Sequence, residues 1–315
     1  MATDSHGIGL SRSQLLRGGV GAVACAALPF HAAAQTAASP TRMNTRPIPS
    51  TQEALPVIGC GTWLGFDYSP GTPEYARLPG VLEALFNAGG RVIDSSPMYG
   101  RAEANTGDLL AAAKGHDKAF IATKVWTSGR EAGIAQMEQS FARLKTQRMD
   151  LMQVHNLVDW RTHLATLRNW KAQGRVRYIG ITHYTASAYT DVEAVLRAEK
   201  LDFLQINYSV DERTAEKRLL PLAAERGVAV IVNMPFGGGG LLRRLRDKPL
   251  PGWAGEIGCT SWAQVLLKFV LSHSSVTCTI PGTSRPEHMA ENAKAGMGAM
   301  PDAAFWKRHA ADLPT

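Results

Sequence analysis

Four side chains with acid, base or charge-stabilising chemistry occur at or just after the ends of three successive apolar segments. Asp94 and Tyr99 belong to "IDSSPMYG", Lys124 to "IATKVW" and His155 to "LMQVHN". An ammonium beside a phenol stabilises the phenolate, and a carboxylate paired with the ammonium keeps it charged inside a cavity. The phenol can then donate a proton to a developing alkoxide while a neutral imidazole orients the same oxygen. This combination suits reduction of a carbonyl group without a metal.

Taken singly, each of the four side chains also has a structural explanation. Asp94 can cap the following turn, Tyr99 can lie on a rim, Lys124 can extend from a strand end and His155 can fill space. A functional interpretation therefore depends on whether the fold brings the four together, because a buried lysine needs a partner.

The predicted elements are short β-rich segments that alternate with helical ones. Eight apolar segments recur along the chain, namely "LPVIGCG", "RVIDSS", "AFIATKV", "MDLMQVHN", "YIGITHY", "FLQINYS", "VAVIVNM" and "VTCTIPG". Amphipathic segments lie between them, such as "AGIAQMEQSFARLKT", whose apolar residues include Met137 and Phe141. Eight such repeats over roughly 250 residues predict an α/β fold, a single-domain (β/α)8 TIM barrel, with functional groups at the carboxyl ends of the strands.

A doubly wound open sheet is the alternative fold. It usually has a G-x-G-x-x-G turn that opens a helix after the first strand. "GCGTWLG" at 59–65 has glycines at the first and third positions of that pattern. Its last glycine follows the bulky Trp63 and Leu64, and no helical pattern begins there, so the barrel is favoured.

The N-terminal segment is predicted to be an export signal. Residues 1–34 place Arg12 and Arg17 before a stretch of apolar and small residues that ends in "HAAAQ". "SRSQLLR" resembles a twin-arginine motif, with Ser13 at the second arginine position. A lipoprotein signal ending at Cys25 is the alternative, although the residue three positions earlier suits it poorly.

Four regions follow from this interpretation: a signal over 1–34, a Pro-rich linker over 35–52, the barrel over 53–300 and a C-terminal tail over 301–315. The expected location is the periplasm after cleavage, or the cytoplasm if the imperfect signal is not used. No membrane span is predicted, because the apolar part of the signal is too short to cross a bilayer.

Charge and cysteine content narrow the function classes. The net charge is +7, but the basic residues are dispersed and the run "LLRRLRDK" is interrupted by leucine, which favours a solvated surface over nucleic-acid binding. A basic surface also suits an anionic cofactor.

No CxxC or Cys/His spacing indicates a metal site, and the sequence leaves open whether Cys60, Cys259 and Cys278 form a disulfide.

The contexts of Asp94, Tyr99, Lys124 and His155 resemble the catalytic tetrad of the aldo-keto reductase family. "GCGTW", "RYIGITHY", "QINYS" and "IPGTSRPEHMAEN" match the same family in order, over nearly all of residues 45–300. The resemblance implies a (β/α)8 barrel and a nicotinamide cofactor, usually NADPH, extended across the carboxyl face. It also implies direct hydride transfer to an aldehyde or ketone, with Tyr99 as the proton donor.

The same resemblance assigns side chains to the cofactor and the substrate. The cofactor-binding set is Gly61, Thr62, Asp94, Thr182, His183, Gln205, Asn233, Pro235, Phe236, Gly237, Gly282, Thr283, Ser284, Arg285, His288, Glu291 and Asn292. The substrate pocket is assigned to Trp63, Trp126 and Asn156. The glycines after Phe236 fit either a pyrophosphate cradle or a flexible lid.

Four positions depart from the family pattern. His183 replaces an asparagine, Asn233 replaces a tyrosine that stacks on the nicotinamide, and His288 replaces an arginine. Gly282 stands where many members have a lysine that binds the 2′-phosphate, which leaves Arg285 as the candidate phosphate ligand. NADPH is favoured and NAD remains an alternative.

Three functions fit these residues. The first is an NAD(P)H-dependent reductase of a small-molecule carbonyl compound. The second is a non-catalytic NADP(H)-binding partner or sensor protein of the same fold. The third is a Schiff-base lyase with Lys124 as the nucleophile. A monomer is expected, with an oligomer left open.

Overall fold

The computed structural model describes residues 42–314, and the predicted export signal lies outside the described residues. The described part begins with an antiparallel hairpin of β1 (Thr45–Pro47) and β2 (Ala54–Pro56). Strand β1 lies within the segment that the sequence predicts as a linker. The hairpin packs at the amino end of the barrel, where Ile48 and Leu55 join the apolar interior. The Arg46 guanidinium donates to backbone carbonyl groups near the end of a later helix, including that of His273.

Eight parallel strands form the barrel that the sequence predicts. They are β3 (Cys60–Gly61), β4 (Val92–Asp94), β5 (Phe120–Val125), β6 (Met149–His155), β7 (Val176–Thr182), β8 (Phe203–Asn207), β9 (Ala229–Asn233) and β10 (Val276–Thr279). Each pairs with the next along the chain. Parallel bridges from Ile58 to Thr279 and from Gly61 to Gly282 join the first strand region to the last, which closes the barrel.

Ten α-helices within residues 42–314 follow or flank the strands. They are α1 (Leu78–Asn87), α2 (Ala102–Ala112), α3 (Arg130–Leu144), α4 (Trp160–Ala172), α5 (Tyr189–Ala198), α6 (Leu219–Glu225), α7 (Gly240–Leu245), α8 (Trp262–Ser272), α9 (Pro286–Lys294) and α10 (Ala303–Arg308). The predicted amphipathic face of α3 is confirmed, since Met137, Phe141 and Leu144 are buried. Within residues 42–314, no helix is both long and apolar enough to cross a membrane.

The predicted C-terminal tail is packed against the barrel through α10. Phe305 and Trp306 contact the ring of Trp253, whose indole N–H donates to Asp312 at 2.8 Å.

The three cysteines in the described part of the chain are buried and free, and burial raises the pKa of each thiol.

The two-residue period of the strands determines which side chains face the barrel interior. In β5, Phe120 and Ala122 belong to the interior cluster, and Lys124 is the next residue of the same face. In β6, Leu151 belongs to the same interior cluster, and His155 lies four residues further along on the same face. Apolar residues therefore fill the lower layers of the barrel, and polar residues occupy the last inward positions at the carboxyl face.

Candidate active site

A cleft of about 1150 Å³ opens at the carboxyl face of the barrel. Most of the predicted site residues line it: Gly61, Thr62, Trp63, Asp94, Tyr99, Trp126, His155, Asn156, Thr182, Gln205, Asn233, Pro235, Phe236, Gly282, Thr283, His288, Glu291 and Asn292. Five do not, namely Lys124, His183, Gly237, Ser284 and Arg285. The structure thus brings together residues that are separated by up to about 230 positions in the chain.

Asp94 and Lys124 form a buried ion pair beneath the cleft. Lys124 Nζ donates to Asp94 Oδ2 at 2.5 Å and to the carbonyl of Ser95 at 2.7 Å. The other carboxylate oxygen, Oδ1, accepts from Gln205 Nε2 at 2.8 Å and from Gln153 Nε2 at 3.3 Å. These hydrogen bonds satisfy charges that would otherwise be costly to bury.

The pKa of Lys124 is raised in this setting. Burial alone would favour the neutral amine, but the Asp94 carboxylate and the Tyr99 phenol together more than offset that effect. The lysine is therefore a cation at neutral pH, although no part of its side chain reaches solvent.

Tyr99 lies directly above the ion pair, with Lys124 Nζ 5.1 Å from the centre of its ring. A turn after β4 carries it there, in which the Tyr99 N–H donates to the carbonyl of Ser96 at 3.0 Å. Gly100 has a φ of 58°, and the Asp67 carboxylate packs where a Cβ would lie. Asp67 also accepts from the N–H of Arg101 at 2.8 Å, so this turn requires glycine.

The pKa of Tyr99 is raised above its ordinary value. Burial is the largest cause, and the nearby Asp94 carboxylate adds to it, while Lys124 opposes both. Lys124 lowers the pKa of Tyr99, as the sequence predicts, but burial raises that pKa by more. The phenol is thus protonated in the free protein, which is the form that a proton donor requires.

His155 completes the group as a neutral imidazole. Its ring centre lies 6.0 Å from that of Tyr99 in an edge-to-face arrangement, and its Nδ1 is 3.0 Å from Ser96 Oγ. Burial lowers the pKa of His155 to about 2, and Lys124 and His183 contribute in the same direction. The ring therefore carries no charge at neutral pH and can only exchange hydrogen bonds with a ligand.

An amide cluster lies beside His155, at the carboxyl ends of β7, β8 and β9. Gln205 Oε1 accepts from Thr182 Oγ1 at 3.2 Å and from Asn233 Nδ2 at 3.5 Å. The buried Oδ1 atoms of Asn233 and Asn156 have no hydrogen-bond partner among residues 42–314. Buried acceptors without partners are costly, so these atoms fit a ligand that brings its own donors, such as a carboxamide N–H.

His183 faces its own loop instead of the cleft. Its Nδ1 accepts the backbone N–H groups of Tyr184 at 3.0 Å and Thr185 at 3.3 Å. The ring stacks on Tyr184 with an interplanar angle of 7°, and Tyr184 is the residue that lines the cleft. The sequence analysis did not select Tyr184 as a site residue. It directly follows His183, where the sequence departs from the family's asparagine, and an aromatic residue at that place could have indicated a cleft position.

The glycine-rich loop after β9 has the conformation that only glycine adopts easily. Gly237, Gly238 and Gly239 have φ values of 56°, 62° and 83°. Gly238 and Gly239 line the cleft and expose backbone there, whereas Gly237 lies against the Asp211 carboxylate. This geometry fits close approach of an extended anionic ligand.

Arg246, which follows α7, is the one arginine among the described residues that line the cleft. Arg285 is exposed at the start of α9 and does not line the cleft. Arg246 lines it and has no ion-pair partner among residues 42–314. The sequence assigned the run containing Arg246 to the solvated surface. At Gly282, an added Cβ would lie 3.2 Å from the carbonyl oxygen of Gly61, so a side chain there would require a small shift of that carbonyl group.

Comparison with known proteins identifies the family. The sequence model of the Aldo/keto reductase family matches residues 57–305, so the chain belongs to this family. Two similar proteins are methylglyoxal reductase YeaE of Escherichia coli K12 and methylglyoxal reductase DkgB of Yersinia pestis. YeaE is 29% identical over 248 residues, which cover 76% of this chain and 85% of YeaE. DkgB is 26% identical over 247 residues, which cover 76% and 86%.

Solved structures agree with the fold. The chain resembles an aldo-keto reductase from Klebsiella pneumoniae, solved in complex with NADPH, with a TM-score of 0.73 and 23% identity. The match covers 86% of this chain and 95% of that protein. The predicted single-domain (β/α)8 barrel is confirmed.

In the described part of the chain, no group of three or more His, Cys, Asp and Glu side chains could hold a metal ion.

Proposed function

We propose that this chain reduces an aldehyde or ketone to an alcohol with NADPH as the hydride source and Tyr99 as the proton donor. The observation that carries the proposal is the arrangement of a protonated, half-buried phenol over the Asp94–Lys124 ion pair, with a neutral imidazole beside it in one cleft. Membership of the aldo/keto reductase family and the methylglyoxal reductases among its relatives support the same reaction.

The residues of the cleft fit a nicotinamide dinucleotide. The unpartnered Asn233 Oδ1, next to Thr182 and Gln205, suits the carboxamide end. The exposed backbone at Gly238 and Gly239 suits the pyrophosphate, and Arg246 suits a phosphate group. Hydride donation to the carbonyl carbon is the chemistry that this cofactor supplies when it is bound.

The chain itself supplies the proton and stabilises the charge that remains. Tyr99 donates its phenolic proton to the carbonyl oxygen as negative charge develops there. The resulting phenolate lies near the Lys124 ammonium, which the raised pKa keeps charged. Asp94 holds that ammonium in place. The neutral His155 hydrogen-bonds the substrate oxygen and orients it toward Tyr99.

The lyase alternative is disfavoured by the state of Lys124. A Schiff-base nucleophile must be a neutral amine that can reach the substrate carbonyl. Lys124 is charged, already donates to Asp94 and Ser95, and does not line the cleft. A non-catalytic cofactor-binding protein remains the second candidate, since the same cleft would hold the cofactor without turnover.

Two measurements test the proposal on the purified protein. Fluorescence titration with NADPH and NADH measures cofactor binding, and oxidation of NADPH is then followed with a panel of aldehydes and ketones. We expect tighter binding of NADPH and turnover of several carbonyl compounds. Tight NADPH binding with no turnover of any compound would favour the cofactor-binding partner instead.

A further inference from the structure

Glu103 is a buried carboxylate that the proposed reaction does not use. It lies in the first turn of α2, and 1% of its surface is exposed. Its Oε1 accepts from the Thr123 hydroxyl at 2.6 Å. Its Oε2 is buried without a hydrogen-bond partner among residues 42–314, with Arg143 Nη1 3.5 Å away. Burial of a carboxylate with an unpaired oxygen is costly, so stabilisation of the fold is a poor account of Glu103.

The hydrogen-bond donor, Thr123, directly precedes Lys124 on β5. Successive side chains of a strand point to opposite faces. Lys124 faces the barrel interior, so Thr123 faces the surrounding helices, where it is fully buried. Its hydrogen bond to Glu103 therefore joins the strand that carries the catalytic ammonium to α2. Within residues 42–314, it is the one side-chain hydrogen bond between α2 and β5.

The same helix carries Tyr99 at its amino end. The Tyr99 carbonyl accepts the N–H of Ala102 at 3.0 Å, and α2 begins at Ala102. Glu103 follows Tyr99 by four residues, which is about one helical turn. Since Lys124 Nζ lies 5.1 Å from the centre of the Tyr99 ring, the contacts form a closed circuit from Tyr99 through Glu103 to the strand of Lys124. A shift of α2 along β5 would change the distance between phenol and ammonium.

Other contacts hold α2 to different elements. Asn105 Nδ2 donates to the carbonyl groups of Phe66 and Tyr68, in the loop after β3, at 2.6 and 2.8 Å. Gly107 lies so close to the carbonyl oxygen of Arg143 that a Cβ would not fit there, which brings the backbones of α2 and α3 together. These contacts fix α2 against a loop and a helix, but neither of them reaches β5.

Resting on the proposed function, we propose that Glu103 and Thr123 are positioning residues that hold the Tyr99 phenol at its place above Lys124. Neither side chain lines the cleft, so each acts through the placement of Tyr99 and not by contact with a ligand. Proton transfer depends steeply on this placement, because a displacement of about 1 Å can lower a rate by about a hundred-fold.

The variants Thr123→Val and Thr123→Ser isolate the hydrogen bond. Valine keeps the shape of threonine without the hydroxyl, whereas serine keeps the hydroxyl. NMR measures the placement of Tyr99 as the nuclear Overhauser contact between its ring and that of His155, whose centres lie 6.0 Å apart. We expect Thr123→Val to weaken this contact and to lower the first-turnover rate of NADPH oxidation by about ten-fold to a hundred-fold, with unchanged Kd for NADPH. Thr123→Ser should retain both the contact and the rate.

Two further variants separate placement from stability. Thr123→Val/Glu103→Leu replaces the buried polar pair with apolar side chains, an exchange that is often neutral or stabilising. We expect this folded double variant to be as slow as Thr123→Val alone, because both substitutions remove the same hydrogen bond. Leu110→Val is the control. It shortens a fully buried side chain seven residues after Glu103 on α2, and it should lower stability without changing the ring contact or the rate.

A ring contact or a rate that survives in Thr123→Val would overturn the inference, and so would recovery of the rate in the double variant or an equal loss in Leu110→Val. The proposed function is measured separately, by NADPH oxidation with the carbonyl panel and the unmodified protein. If that protein reduces no compound, the proposed function is contradicted, and the ring contacts in the Thr123 and Leu110 variants still decide whether the hydrogen bond holds Tyr99. Turnover by the unmodified protein and equally by Thr123→Val would support the function and refute the positioning role.

Discussion

Lys124 Nζ lies 2.5 Å from Asp94 Oδ2, and at most 3% of either side chain is exposed. Removing one member leaves an uncompensated buried charge, which typically destabilises a protein by about 3–5 kcal/mol. We expect Lys124→Met to lower the free energy of unfolding by about that amount and to abolish reductase activity. Urea denaturation measures the first effect. The double variant Asp94→Asn/Lys124→Met should be more stable than Lys124→Met alone, and a fully stable single variant would contradict this account.

Removal of the Tyr99 hydroxyl isolates the proton-transfer step. Tyr99→Phe keeps the ring and its edge-to-face contact with His155. We expect unchanged NADPH affinity and thermal stability, with kcat for carbonyl reduction lowered by about 10²–10⁴-fold. Single-turnover kinetics with purified protein checks the loss. Retention of normal kcat in this variant would refute the proposed role of Tyr99.

The pH dependence of reduction should reflect Tyr99 and not His155. Because the pKa of Tyr99 is raised, the phenol is protonated below its folded pKa, and the donor form is lost only as pH rises through that value. The pKa of His155 is lowered to about 2, so its ring does not titrate near neutrality. We expect kcat/KM for reduction to be level across neutral pH and to fall only in the alkaline range. An inflection near pH 6.5 would show that His155 changes charge during catalysis.

Arg246 and Arg285 offer a matched pair for the phosphate contacts of the cofactor. Arg246 lines the cleft and Arg285 does not. Loss of a charge-assisted hydrogen bond costs about 1.5–3 kcal/mol, or roughly ten-fold to a hundred-fold in affinity. We expect Arg246→Ala to raise the Kd for NADPH by that factor and Arg285→Ala to change it little. Comparison with NADH identifies the group concerned, because a contact to the 2′-phosphate affects NADPH alone. The reverse order of the two variants would show that Arg285 is the phosphate ligand.

Export remains a prediction from residues 1–34, which lie outside the described part of the chain. Their order of basic, apolar and small residues is typical of a signal removed after Ala34. Cell fractionation with N-terminal sequencing should find the processed chain in the periplasm. Because Ser13 replaces the second arginine of the motif, Ser13→Arg should increase export. An intact N-terminus confined to the cytosol would refute the prediction.

The sequence by itself determined the barrel and predicted the four side chains, Asp94, Tyr99, Lys124 and His155, that the structure brings together. Strand and helix segments are local patterns, and the carboxyl ends of parallel strands always meet at one face. Asp94, Lys124 and His155 occupy the last inward positions of their strands, so their convergence follows from the two-residue period once the fold is known. Tyr99 lies on a loop, and its position was available through the resemblance to a known family.

Only the tertiary structure decided which loop residues reach the cleft. His183 turns toward its own loop and Tyr184 takes the cleft position, because backbone N–H groups occupy the imidazole nitrogen. Arg246 reaches the cleft through a long connection after β9, while Arg285 directly precedes α9 and does not line the cleft. Loop paths depend on contacts between residues far apart in the chain, such as Asp67 with Arg101, which leave no periodic signal in the sequence.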